Sequence, residues 1–143
     1  MFVREYGHAD HDACAALHEE LLETHRRLYP DAQIGGEFVP EGRLFVAEDD
    51  GRVLGYVGLL WHGRRAELEP IVVAPGARDR GVGRALAERV VDEARAAGAI
   101  HVFVRPAARN REAIDLYHEL GFDVVGYFSC SSTSSLASDT EPS

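Results

Sequence analysis

The chain has 143 residues, a net charge of −9 and a pI near 5.2, a length that suggests one domain. This acidity excludes general nucleic-acid binding, which needs a basic face. No apolar run approaches the roughly 20 residues of a membrane span. The start, MFVREYGHAD, lacks the basic and apolar pattern of a signal peptide, so a cytoplasmic protein with no membrane partner is expected. All 15 basic residues are arginine, and the charge is uneven: residues 1–50 hold 12 acids and 4 arginines, the remainder 12 and 11. The first part should repel anions and attract cations.

Along the chain, FVREY (2–6) reads as a strand and residues 9–28 as a helix. Ala13, Leu17, Leu21 and Leu28 form its apolar stripe, and Pro30 marks its end. Residues 30–42 read as loop. RLFVAE (43–48), VLGYVGLLW (53–61) and ELEPIVVA (67–74) are separated by DDG and HGR turns and predict an antiparallel meander. A helix should then run to about Ala97, with Leu86, Val90 and Ala94 inward and Gly98 as its C-terminal cap. IHVFV (100–104) predicts a buried strand stopped by Pro106. Asn110 is a suitable N-cap for a helix ending at Gly121, with Ala113, Leu116, Tyr117 and Leu120 inward. FDVVGYF (122–128) predicts a strand, and the serine-rich remainder a mobile or partly ordered tail.

RDRGVGRAL (78–86) stands between the third meander strand and a helix. Unpaired N–H groups at a helix start, with glycine allowing close approach, make an anion site. Two other phosphate loops are excluded. Gly76 and Gly81 match the glycines of G-x-x-x-x-G-K-S/T, but Val82 and Gly83 replace its Lys and Ser/Thr. Gly81 and Gly83 match the start of G-x-G-x-x-G, but the third position is Leu86 and the preceding strand belongs to a meander. Arg78, Arg80 and Arg84 have only Asp79 as a local acid. Arg105, Arg109 and Arg111 form a second acid-free group after the next strand. Together they could hold a pyrophosphate and a further phosphate, the alternative being solvated surface arginines.

VVAPGARDRGVGRAL resembles the acetyl-CoA signature of the GNAT superfamily of N-acetyltransferases, Val-x-Pro-x-x-Arg/Gln-x-x-Gly-x-Gly/Ala-x-x-Leu. Val73, Pro75, Arg78, Gly81, Gly83 and Leu86 match it. NREAIDLYHELGF (110–122) resembles the second recurrent segment of that family at Asn110, Ala113, Tyr117, Gly121 and Phe122. The resemblance implies an α/β (α+β) fold: a mixed, mostly antiparallel sheet of six or seven strands flanked by helices, splayed between the fourth and fifth strands. Residues 1–128 would form this single domain and 129–143 the tail. The cosubstrate acetyl-CoA would lie in the splay. Its expected contacts are Ile71, Val72 and Val73 on the strand, then Arg78, Arg80, Gly81, Val82, Gly83 and Arg84 around the pyrophosphate, with Asn110 and Tyr117 beyond. Pro70 suits this picture because proline is tolerated where a strand is bulged or unpaired.

Acetyl transfer to an amine needs a free amine, a polarised carbonyl and a proton for the leaving thiolate. Glu69 stands where many family members carry a glutamate and is the candidate base; an exposed strand glutamate is the alternative. Alternation puts Glu67, Glu69, Ile71 and Val73 on one face and Leu68, Pro70 and Val72 on the other. Tyr117 is the candidate acid, or a core tyrosine. Asn110 could bond the cofactor as well as cap its helix.

His11, His18 and His25 recur every seven residues, about 10.5 Å apart along a helix axis, too far to share one ion. No metal is expected. His18 or His25 could touch substrate, although a solvated face is favoured. Cys14 and Cys130 lie outside any C-x-x-C pair and read as free thiols. The family usually ends with a seventh strand. Here SLAS forms a poor one, a partner completes the edge, or the edge stays open, which admits a homodimer.

The function expected is acetyl transfer from acetyl-CoA to a primary amine of a small molecule or peptide, by direct attack in a ternary complex. The acidic first part favours a cationic acceptor. A non-catalytic acyl-CoA-binding regulatory module is the alternative, and it would need neither Glu69 nor Tyr117.

Overall fold

The structure, a computed structural model, describes residues 1–122, 127–131 and 134–140. Five strands form one sheet in chain order: β1 (Phe2–Glu5), β2 (Arg43–Asp49), β3 (Arg52–His62), β4 (Arg65–Val73) and β5 (His101–Phe103). The first four are antiparallel, and β5 runs parallel to β4. A 3-10 turn (His8–Asp10) leads into α1 (His11–Leu28), and α2 (Val82–Ala96) and α3 (Arg111–Glu119) flank β5 in sequence.

Among the described residues this sheet has five strands, so the expected six or seven are not confirmed; β6 (Tyr127–Ser131) and β7 (Ser134–Thr140) pair with each other as a separate antiparallel ribbon. Of the strand expected at 122–128, residues 123–126 lie outside the described residues. Ser135–Ser138, the poor strand candidate, falls within β7.

Two apolar clusters sandwich the sheet. Phe45, Val57, Leu59 and Leu68 meet Leu86 and Val90 of α2. Val46, Tyr56 and Val72 meet Cys14 and Leu17 of α1 together with Phe38. On β2 and β3, residues of opposite parity supply the two sides, as a pleated sheet requires. The buried face of α1 consists of Cys14, Leu17, Leu22 and His25, rotated slightly from the expected stripe, in which Ala13, Leu21 and Leu28 are only half-buried. Cys14 is free and fully buried, and burial pushes its thiol up to about 12, which removes it from thiolate chemistry.

The pairing of β4 with β5 covers only Arg65–Glu67 against His101–Phe103. Beyond Glu67 the outer edge of β4 has no strand beside it among the described residues. This opening positions the site.

Candidate active site

The decisive local feature is a β-bulge. Val57 pairs with Ile71, and Leu59 with Leu68. Gly58 alone therefore faces both Glu69 and Pro70, one extra residue on β4. Pro70 has no N–H to offer a ladder, which suits it to this place. Gly58 is needed for a steric reason: a Cβ there would collide with the Glu69 carbonyl oxygen.

The bulge corrects the expected alternation. Leu68 and Ala66 belong to the α2-side core, against which Ile71 and Val73 also pack. Ile71 and Val73 thus share the face of Leu68. Glu67 and Glu69 do lie on one face, as expected, but it is the opposite one. An extra residue inverts the parity of everything beyond it.

Glu69 lines a cleft of about 540 Å³. Contributing residues include His18, Leu21, Leu22 and His25 of α1, Glu37, Phe38 and Glu41 of the following loop, Tyr56 of β3, and Arg105, Asn110 and Tyr117. The half-buried Glu69 carboxyl is raised to about 7, first by burial and then by the negative charge of Glu67, with Glu41 adding and Arg105 opposing. Desolvation and a like charge both disfavour the ionised form.

Glu67 is fully buried and held in place. Arg105 donates from Nε at 3.2 Å to one carboxylate oxygen and from a terminal nitrogen at 3.1 Å to the other. The ring Nε2 of half-exposed His62 lies 2.7 Å from Glu67 Oε1. A two-pronged arginine contact gives both oxygens of this buried carboxylate a donor.

Tyr117 comes from α3, which begins with the expected cap: Asn110 Oδ1 accepts from Ala113 N at 3.1 Å. The cap bond orients the helix, and Tyr117 follows two turns later on its buried face. Its Oη accepts from Ile71 N at 3.4 Å. Burial pushes Tyr117 up to about 12, with Glu69 and Glu67 adding to the rise. Tyr117 therefore stays protonated at neutral pH.

That contact also shows which way β4 presents its backbone. Ala74 N donates to Leu54 O on β3. Alternate residues of a strand point their N–H and C=O to opposite edges, so Ile71 and Val73 turn theirs into the opening. Val72 lies differently from these two neighbours. Its backbone faces β3 and its side chain packs in the α1-side core.

At the start of α2, Gly81 is the N-cap with φ of 79°, a left-handed conformation. A Cβ there would meet no atom within 4 Å, so glycine is chosen for its backbone. Val82, Gly83 and Arg84 form the first turn, whose N–H groups have no partner within a helix. Gly83 lies against Ile71, Val73 and Leu116, which joins this helix start to the open stretch of β4.

The arginines are less free than sequence proximity implied. Arg105 holds Glu67. Arg109 donates to Leu28 O at 2.9 Å and stacks over the Tyr29 ring. Arg111 pairs with Asp115 at 3.3 Å. The second acid-free group is therefore corrected: its acids and carbonyls come from α1, β4 and α3. Arg78 meets Glu112 and Arg80 meets Asp49, both at 3.3 Å and both exposed. Such surface pairs are worth about 1 kcal/mol or less and yield readily to a ligand anion. Arg84 is exposed and lines a separate hollow of about 530 Å³ against α2 and β5.

The histidines are also redistributed. His18 packs against Phe38 and lines the cleft. His25, favoured as solvated, is instead 7% exposed and faces the same cleft. The seven-residue spacing gave no warning, because the loop after α1 folds back over this helix face.

Comparison with known proteins places this fold in a family. The model of the acetyltransferase (GNAT) family matches residues 10–122. The chain belongs to the GNAT family. Its relatives include proteins named as acetyltransferases. It is 34% identical over 128 residues to an L-methionine sulfoximine/L-methionine sulfone acetyltransferase of Salmonella typhimurium, covering 84% of this chain and 71% of that one. It is 37% identical over 90 residues to a streptothricin acetyltransferase of Streptomyces lavendulae, covering 60% of this chain and 47% of that one. The chain thus spans about half the length of the streptothricin enzyme. An aminoglycoside N-acetyltransferase solved with CoA superposes with a TM-score of 0.65 at 18% identity, over 85% of this chain and 90% of that one, a likeness of fold.

Proposed function

We propose that this GNAT enzyme transfers acetyl from acetyl-CoA to a primary amine of a small molecule or peptide by direct attack in a ternary complex. The observation that carries this reading is that Glu69, raised to about 7, and the protonated Tyr117 line one cleft beside the open edge of β4.

The residues present suit acetyl-CoA, the second substrate, whose thioester supplies the acyl group. Ile71 and Val73 offer backbone groups to an amide-bearing arm, as an added strand would take them. The amides of Gly81, Val82, Gly83 and Arg84 suit a diphosphate, aided by the helix dipole. Arg78 and Arg80 are near enough in sequence to add charge. Asn110 spends its carbonyl on the helix cap and retains its amide N–H groups for a ligand.

An alkylammonium with pKa near 10 costs about 4 kcal/mol to deprotonate at pH 7. Glu69 is the acceptor for that proton, directly or through water. Its position near 7 brings it closer to the amine than an ordinary carboxylate and still leaves it substantially ionised at neutral pH. The freed amine attacks the thioester carbonyl, a C–N bond forms and the C–S bond breaks. Tyr117 gives its proton to the departing sulfur. The burial that raises Tyr117 also raises the proton affinity of a thiolate formed beside it.

Calorimetric titration with acetyl-CoA, CoA and ATP tests the cofactor half. Micromolar binding of the first two with much weaker ATP supports it; no binding of acetyl-CoA overturns it. The Glu69→Gln and Tyr117→Phe variants test the catalytic half. Both should lose turnover and keep acetyl-CoA affinity, and unchanged turnover would refute their roles.

A further inference from the structure

Acetyl transfer to an ammonium leaves one proton over. Of its three N–H protons, the amide product keeps one, one reaches the CoA thiol by way of Tyr117, and one stays on Glu69. Glu69 must lose that proton before the next turnover, from a cleft that both substrates occupy. A second way out runs through two side chains that the transfer step itself does not use.

Glu67 is fully buried, and the Glu69 carboxyl lies within hydrogen-bonding reach of it. The Glu67 carboxyl also meets His62, the last residue of β3, whose Nε2 lies 2.7 Å from Oε1. The His62 side chain is 47% exposed, and it stands outside the wall of the cleft. Glu69, Glu67 and His62 therefore make a continuous line of titratable groups from the cleft, through the interior, to solvent. Arg105 faces this line at Glu67, and Glu41 acts on it at Glu69. The His62 ring packs on Phe103 at 5.6 Å, with Arg65 over the same phenyl ring at 4.9 Å. That contact occupies neither imidazole nitrogen.

Arg105 alone gives both Glu67 oxygens a donor, so burial of this carboxylate does not require His62. Placing Glu69 beside it adds a repulsion that folding alone would avoid. Proton movement, by contrast, needs acids and bases within hydrogen-bond reach of one another. Imidazole both takes up and releases protons near neutral pH.

We propose that Glu67 and His62 form a proton exit that carries the product proton from Glu69 to solvent. The protonated Glu69 carboxyl gives its proton to a Glu67 oxygen. Glu67 passes a proton from Oε1 to an unprotonated Nε2 of His62, and the imidazolium so formed loses one to water. Glu67 ends as the carboxylate held by Arg105, and Glu69 is again a base. His62 acts through Glu67 and touches neither substrate. This rests on the N-acetyltransferase reading above and adds a route for the proton that reading leaves on Glu69.

The test uses the full chain, with release of the CoA thiol as the signal. The amine is whichever the wild type acetylates fastest in a panel of alkylamines, amino acids and short peptides. In dilute buffer, His62→Gln should lower kcat about 10-fold, less than loss of the base itself because slower exit through the cleft remains. KM for the amine and affinity for acetyl-CoA should stay as in wild type, a split that marks a step after binding. Added imidazole should restore kcat in the variant and leave wild type unchanged. His62 is half-exposed, so the variant should fold, and urea unfolding checks that it does. An unchanged kcat in dilute buffer would overturn the relay and leave the acetyltransferase reading standing. So would a loss that imidazole leaves in place. Absence of thiol release by wild type with every amine would sink the underlying reading, and the relay with it.

Discussion

Replacing Glu69 by glutamine should stabilise the protein and silence it, and the two effects should share one pH dependence. A carboxyl raised by folding holds its proton more tightly in the native state. Its contribution to stability therefore declines as pH rises from about 4.5 to about 7, then levels off. The displacement from 4.5 to about 7 corresponds to about 3 kcal/mol at 1.36 kcal/mol per pH unit. At pH 8 the wild-type fold carries that cost in full; at pH 4 it carries little. Glutamine cannot ionise. Glu69→Gln should therefore match wild type at pH 4 and exceed it by about 3 kcal/mol at pH 8 in urea unfolding. The same variant should lose about 10²- to 10⁴-fold in turnover, the range for removing a general base. In wild type, kcat/KM for the amine should fall as pH drops through about 7. Equal stabilities at pH 8 would show that the carboxylate is not desolvated. Full activity in the variant would show that it is not the base.

Four further outcomes follow from the same geometry. Tyr117→Phe should lower kcat with little change in acetyl-CoA affinity, and wild-type activity should show no alkaline decline before pH 10, because Tyr117 is pushed up to about 12; a decline centred near 9 would refute this. Gly58→Ala should cost about 1–3 kcal/mol by urea unfolding, because its Cβ meets the Glu69 carbonyl across the bulge, and should reduce turnover more than a surface change of equal stability. Gly81→Val should weaken acetyl-CoA binding in calorimetry and cost about 1–2 kcal/mol in stability, since a side chain is strained at φ of 79°. Glu67→Gln should shift the acid limb of the pH–rate profile below about 7, because it removes the like charge beside Glu69; an unmoved midpoint would assign the whole rise to burial.

Much of the fold was legible because it rests on local patterns. The meander followed from three apolar runs broken by DDG and HGR, and the Asn110 cap follows from one side chain three residues before the amide it accepts from. Tyr117 and the Gly81 turn carried their own signals by position within two motifs, and Glu69 by its place on the strand before the first. The arrangement around them was hidden in long-range contacts. Glu67 meets Arg105 across 38 residues, and no charge count of a short window could reveal that partner. The face reversal at Glu69 has one clue, Pro70, which signals a bulge but not its position relative to Glu69, on which the parity depends. His25 looked solvated because its burial depends on the loop that follows α1, whose path no periodicity encodes. The pairing of β6 with β7 was hidden for a related reason: it is a tertiary choice, and serine-rich strands carry little alternation to announce a partner.

The bulge explains why these separate readings converge on one site. Without the extra residue, Glu69 would continue the ladder opposite β3, and strict alternation would put Glu67 and Glu69 on the same face as Ile71. That face packs against α2, and two carboxylates could not be buried there without destroying the core. One inserted residue places the glutamates on the α1 side, where Arg105 and His62 satisfy Glu67, and leaves Ile71 and Val73 on the α2 side beside Gly83. The proposed cofactor edge and the proposed base, Glu69, thus belong to one strand but to its two faces, with Pro70 at the crossing, while Tyr117 approaches from α3. A strand of perfect register could carry either the packed apolar surface or the buried carboxylates over these seven residues, Glu67 to Val73, but not both.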